Sequence, residues 1–293
     1  MKTIFLVPFF VLLISCVPPS ANESETKENV AERGNIEGQG NINVRTEQAR
    51  EKLHTLVSPN YRLSSGPDAE FMAILENFIW GEVFYHGSLT DRQRIIILLS
   101  VMTTNQDHEQ FGRAAASAVR NGILTPVEVK EIVYMHAPYI GFPKVLTTLI
   151  VVNEILTQQG ITLPLESQST VTEETRYERG LEIQNRIIGG NAEQMFLNNA
   201  PENQRHIYEY LTAMGFGDIF SRSGLDLQTR QMIVFVTLGT LGDTERQLRG
   251  HIRGNLNVGN NKEFLIDVLT QMLPYIGFPR TLNVLSLLNE VEG

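Results

Sequence analysis

The densest run of groups able to do chemistry is Arg249-x-His251-x-Arg253, an imidazole that titrates near neutrality set between two permanent cations. Such a set can pass a proton and hold an anion. Each member also has a plainer use. Glu245 and Arg249 stand four residues apart, the spacing of a surface helix ion pair worth roughly 0.2–0.5 kcal/mol. His251 suits a partly buried structural position, and Arg94 and Arg230 suit pairs with acids at their helix starts.

The elements that carry these groups occur twice. Tyr139-Ile140-Gly141-Phe142-Pro143-Lys144 returns as Tyr275-Ile276-Gly277-Phe278-Pro279-Arg280, a shift of 136 residues. At the same shift Leu146, Leu149, Asn153 and Glu154 meet Leu282, Leu285, Asn289 and Glu290, while upstream Gly81, Leu89 and Arg94 meet Gly217, Leu225 and Arg230. A period this long is a tandem duplication of a small domain rather than a solenoid.

Local signals favour helices. Thr125-Pro126-Val127-Glu128 is a capping box with proline in the first turn, followed by Val129, Ile132 and Val133 at helical spacing. Gly141 and Gly277, each followed two residues later by proline, mark a sharp turn between two helices, so the Tyr-Ile-Gly-Phe-Pro motif reads as architecture. The runs Arg94–Val101 and Met232–Leu238 suit a buried strand by propensity and a buried helix equally by periodicity.

Lys2, the apolar run Ile4–Ile14 and the closing Leu13-Ile14-Ser15-Cys16 read as an export signal, and those four residues resemble the bacterial lipobox. That resemblance implies lipidation of Cys16, the single cysteine, and an envelope protein facing the periplasm or the cell surface, with the membrane as one partner. The expected organisation is a signal peptide at 1–15, a lipidated cysteine and disordered tether at 16–45, repeat 1 at 46–160, a linker at 161–176 and repeat 2 at 177–293. The repeats are long enough for two packed cores. A net charge of −9 with no Lys/Arg block disfavours nucleic acid as a partner.

Phe216-Gly217-Asp218, Arg222-Ser223-Gly224-Leu225, Arg230, Leu248-Arg249-Gly250-His251-Ile252-Arg253 and Tyr275–Pro279 together resemble the carboxymuconolactone decarboxylase family. Repeat 1 resembles it through Trp80-Gly81 to Arg94 and through Tyr139–Pro143. The resemblance implies an all-α fold of two tandem domains, oligomers with sites near subunit interfaces, and a homotrimer of this two-domain chain. It also implies either decarboxylase chemistry or the thiol redox chemistry of alkylhydroperoxidase D relatives. The redox relatives share Cys-x-x-Cys-x-x-x-His. Here those positions hold Thr244, Gln247 and His251 in repeat 2, and His108, Phe111 and Ala115 in repeat 1, so the thiols are missing.

By the decarboxylase resemblance His251 is the general acid/base, Arg222 and Arg249 bind the anion, and Arg253 and Tyr275 support them. The implied substrate is a small anionic lactone or carboxylate, with no cofactor and no metal. Repeat 1 has His86 in place of Arg222 and Ala115 in place of His251, and reads as an interface partner for repeat 2. A peroxiredoxin-type antioxidant and a non-catalytic scaffold lipoprotein are the alternatives.

Overall fold

Helix starts follow the chemistry of their first turns. Thr90 and Thr125 each accept a backbone N–H three residues on, and Gln93 and Glu128 return the bond, which makes two complete capping boxes. Asp226 and Asn261 cap their helices through the side chain in the same way.

The computed structural model describes residues 38–57 and 67–291, and among them every regular element is helical. Repeat 1 comprises α1 (Gly38–Lys52), α2 (Ala69–Gly81), α3 (Asp91–Asn105), α4 (His108–Arg120), α5 (Pro126–Tyr134), α6 (Ala137–Ile140) and α7 (Phe142–Gln158). Repeat 2 comprises α8 (Arg176–Ile188), α9 (Arg205–Tyr210), which runs on into a π-helical segment Leu211–Phe220, then α10 (Leu227–Leu241), α11 (Glu245–Asn257) and α12 (Lys262–Glu290). No described helix is long and apolar enough to cross a membrane. The segment expected to be a signal peptide and Cys16 lie outside the described residues.

The two ambiguous runs are helices. In α3 the residues from Arg94 to Thr104 are all buried, and in α10 those from Thr229 to Thr240, so neither helix has a polar face to give a periodic signal. Several of their hydroxyls are satisfied inside the helix: Ser100, Thr103 and Thr237 each donate to the carbonyl four residues back.

Three expectations about organisation change. α1 begins at Gly38, so residues 38–45, assigned above to the tether, are helical. The linker is bound to repeat 2: Thr170 Oγ1 donates to Ser221 O at 2.8 Å, and Ser223 N donates to Gln168 O at 3.0 Å. Instead of two cores there is one, because α3 of repeat 1 packs against α10 of repeat 2 and the buried side chains of both repeats form a single cluster.

The helix pairs that follow the motif turn where expected. Gly141 (φ 85°, ψ 153°) separates α6 from α7, and Gly277 (φ 76°, ψ 163°) breaks α12 at the matching place. Only glycine adopts this conformation without strain. In each copy the tyrosine ahead of the turn meets side chains of the other repeat.

Candidate functional site

On α11 side chains advance by about 100° per residue, so Arg249 and Arg253 share one side and His251 stands about 200° from Arg249. Leu248, Ile252 and Asn255 face the core, and His251, between them, is partly buried. Arg249 and Arg253 lie on the exposed side, where Arg249 pairs with Glu290 at 2.8 Å. The expected convergence of these arginines with His251 therefore does not occur within the chain, for a reason already present in the spacing.

His251 has other neighbours. Its Nδ1 is 3.1 Å from Gln231 Oε1 on α10, and its ring meets that of Tyr139 edge-to-face, with centroids 5.8 Å apart. With the amide oriented this way Nδ1 carries the proton and donates it, so Nε2 presents a lone pair. Burial pushes the pKa of His251 down to about 4, so the ring is neutral at physiological pH. Asn255 steadies the arrangement by donating to Gln231 O at 3.1 Å and to His251 O at 2.8 Å.

Tyr139 belongs to repeat 1. Its counterpart Tyr275 is accordingly not at His251: it lies against repeat 1, where with Trp80 and Pro274 it lines a cavity of about 320 Å³. The tyrosines are exchanged between the repeats.

Arg222 is also committed across the repeats. Its Nε donates to Glu131 Oε1 at 2.7 Å, and its guanidinium lies over the ring of Tyr134, 5.1 Å from the centroid. The other oxygen of Glu131 accepts from Arg230 Nη2 at 3.0 Å. Glu131 is 1% exposed and Arg230 0%, so a buried carboxylate of α5 ties together the start of α10 and the loop before it. Arg222 thus holds a protein carboxylate in place of the expected substrate anion. Arg230 does pair with an acid, though one from the other repeat and not from its own helix start. Arg94 does not: Asp91, at the start of its helix, pairs with Lys52.

Gln231, Tyr139 and Glu131 are the residues that motif reasoning passed over. The polar Gln231 stands where repeat 1 has Ile95, inside an otherwise apolar run, and Glu131 matches Asp267 at the 136-residue shift. Both signals were visible. Among the described residues no group of three or more metal-binding side chains occurs.

The family model described as "Carboxymuconolactone decarboxylase family" matches residues 69–154 and again 205–290, more than half of the chain. The chain belongs to that family. The two matches are offset by the repeat period and cover α2 to α7 and α9 to α12. Among curated relatives, the 4-carboxymuconolactone decarboxylase of Acinetobacter baylyi is 27% identical over 121 residues, 41% of this chain and 90% of that protein. One relative thus corresponds to about one repeat.

Proposed function

We propose that this member of the carboxymuconolactone decarboxylase family is a cofactor-independent decarboxylase-type enzyme acting on a small lactone acid or carboxylate, with its chemistry at His251. The observation that supports this reading most is the geometry of the ring: Nδ1 lies 3.1 Å from Gln231 Oε1, which leaves Nε2 as the nitrogen not engaged by that amide. In decarboxylation the bond between carbon and carboxylate breaks, carbon dioxide leaves, and the electron pair stays on the substrate carbon, where a conjugated carbonyl delocalises it. A proton must then reach that carbon. A carboxylate bound against the ring favours its charged form and so raises its affinity for a proton, which solvent supplies. Substrate binding would thereby load the acid that completes the reaction, and Tyr139 would supply an apolar wall from the other repeat.

The test is release of carbon dioxide from 4-carboxymuconolactone and from a panel of small lactone acids. His251→Ala should lower kcat at least about 100-fold while the protein stays folded, and Gln231→Leu should lower it less, by freeing the tautomer. Full turnover by His251→Ala would refute the assignment. A scaffold role without chemistry is the second reading, supported by the commitment of Arg222 and Arg249 to Glu131 and Glu290. Thiol-based peroxide reduction draws no support, since positions 244, 247, 108 and 111 carry Thr, Gln, His and Phe.

The same proposal places the protein in the cell envelope, held by lipid on Cys16. Wild-type protein should partition into detergent with its N-terminus blocked at Cys16, and Cys16→Ser should abolish this. A mature chain with unmodified Cys16 in mass spectra would end that part.

A further inference from the structure

The repeat without the histidine holds the less compensated cation. Arg94 and Arg230 occupy matching positions and make matching bonds: Nε donates to Leu89 O or Leu225 O at 3.1 Å, and Nη2 to His86 O at 2.9 Å or Arg222 O at 2.7 Å. In both, Nη1 is buried with no partner among the described residues. Their charges are treated differently. Arg230 has Glu131 at 3.0 Å. At Arg94 the matching acid is Asp267, one methylene shorter, and it turns to Ser88, accepting from the backbone N–H at 2.9 Å and from Oγ at 3.3 Å. Arg94 is 6% exposed and forms no ion pair among the described residues. Its charge feels Asp91 and Asp267 only at longer range, and its guanidinium lies over Phe84, 5.2 Å from the ring centroid.

Arg94 borders a crevice with room for about one water-sized atom, roughly 10 Å³. Ile79, Trp80, Leu98 and Tyr275 line both this crevice and the cavity of about 320 Å³, so Arg94, without an ion pair among the described residues, lies one shared wall away from an apolar chamber. The volume is at the small end of ligand sites. Asp107, the one acid in the chamber lining, caps α4 by accepting from Gln110 N at 3.1 Å.

We infer that the chamber in repeat 1 binds a small amphipathic carboxylate, with its apolar body against Trp80 and Tyr275 and a carboxylate oxygen entering the crevice to accept from Arg94 Nη1. A buried guanidinium gains most from a charge-assisted bond that cancels its charge. The site goes beyond the chemistry proposed at His251, because it lies in the other repeat and uses none of the same residues. In repeat 2 Glu131 already supplies the carboxylate, so no external anion is required there.

Trp80 is the only tryptophan in the chain and lines both compartments, so it reports occupancy directly. The experiment titrates the full chain with phenylacetate and with phenylacetamide, its uncharged counterpart, following Trp80 emission. Phenylacetate should give a saturable change, and the amide should bind at least tenfold more weakly. Leu75→Phe, which fills the chamber and leaves the bonds of Arg94 intact, should weaken both. Arg94→Gln should remove the preference for the acid, and His251→Ala should change nothing. Equal affinity for acid and amide in the wild-type protein, or no saturable change at millimolar ligand, overturns the inference without relying on any variant. Loss of the response in His251→Ala overturns it as well, since the two sites would then not be separate.

Discussion

Replacing Glu131 with glutamine keeps the shape of the buried junction between the repeats and removes its charge. Two arginines lose their partner, with unequal consequences. Arg222, 20% exposed, can turn toward water, and its loss is worth under about 1 kcal/mol after solvent screening. Arg230, at 0% exposure, cannot, and a buried charge stripped of its partner costs about 3–5 kcal/mol. Glu131→Gln should therefore destabilise the fold by about 4 kcal/mol, which for a urea dependence near 3 kcal/mol/M lowers the unfolding midpoint by about 1.3 M. Adding Arg230→Met removes the stranded charge and should recover at least half of the loss, whereas Asp267→Asn, which weakens the bonds to Ser88 and removes a longer-range charge from Arg94, should cost about 1 kcal/mol. Urea unfolding followed by circular dichroism reads all of these. A midpoint shift below about 0.3 M for Glu131→Gln would refute the view that this carboxylate neutralises Arg230.

Acid should weaken the protein through its buried imidazoles. His136 is fully buried between the carbonyls of Ile132 (2.8 Å) and Ser100 (3.1 Å), and burial holds both His136 and His251 near pKa 4. The unfolded chain takes up these protons near pH 6.5, so stability is complete above that value and is lost as the pH falls toward 4, by up to about 3 kcal/mol for His136 alone. His136→Met, which copies Met272 of repeat 2, should flatten part of the profile, and equal urea midpoints for the wild-type protein at pH 7.5 and 5 would contradict this. Assembly into a trimer is the remaining proposal. Phe71, Ile74, Phe142 and Leu146 are exposed, and so are their counterparts Ile207, Tyr210, Phe278 and Leu282. Light scattering should give three chains per particle, and Leu146→Glu with Leu282→Glu should yield monomers; a wild-type monomer across a wide concentration range would exclude the assembly.

The helical class, the duplication and the glycine turns were legible because each rests on neighbours in sequence: the capping box at Thr125, the repeated Tyr-Ile-Gly-Phe-Pro, and the need for glycine at positions 141 and 277. The site was less legible, for two physical reasons. Repeat alignment assigns each residue to its own copy, while packing of α3 against α10 exchanges partners, so Tyr139 rather than Tyr275 meets His251, and Glu131 reaches Arg222 and Arg230. The second reason is angular. A run of the form Arg-x-His-x-Arg looks like one cluster in print, yet on a helix it divides between two sides, and here Arg249 goes to Glu290 at the surface. Whether α3 and α10 were strands or helices had no solution in periodicity, because burial on every side erases it, and only the family resemblance implied helices.

The single methylene that separates Glu131 from Asp267 bears on what gene fusion makes possible. In a homodimer of single repeats every substitution appears twice, so a carboxylate lengthened to neutralise one arginine would neutralise its twin as well. Joined in one chain, the copies mutate separately. One arginine has an internal counter-ion at 3.0 Å and the other has none that close among the described residues, and each arrangement sits beside a different set of side chains. Covalent linkage thus lets the two halves differ while they stay packed together, and the chain is a molecule with two distinguishable ends.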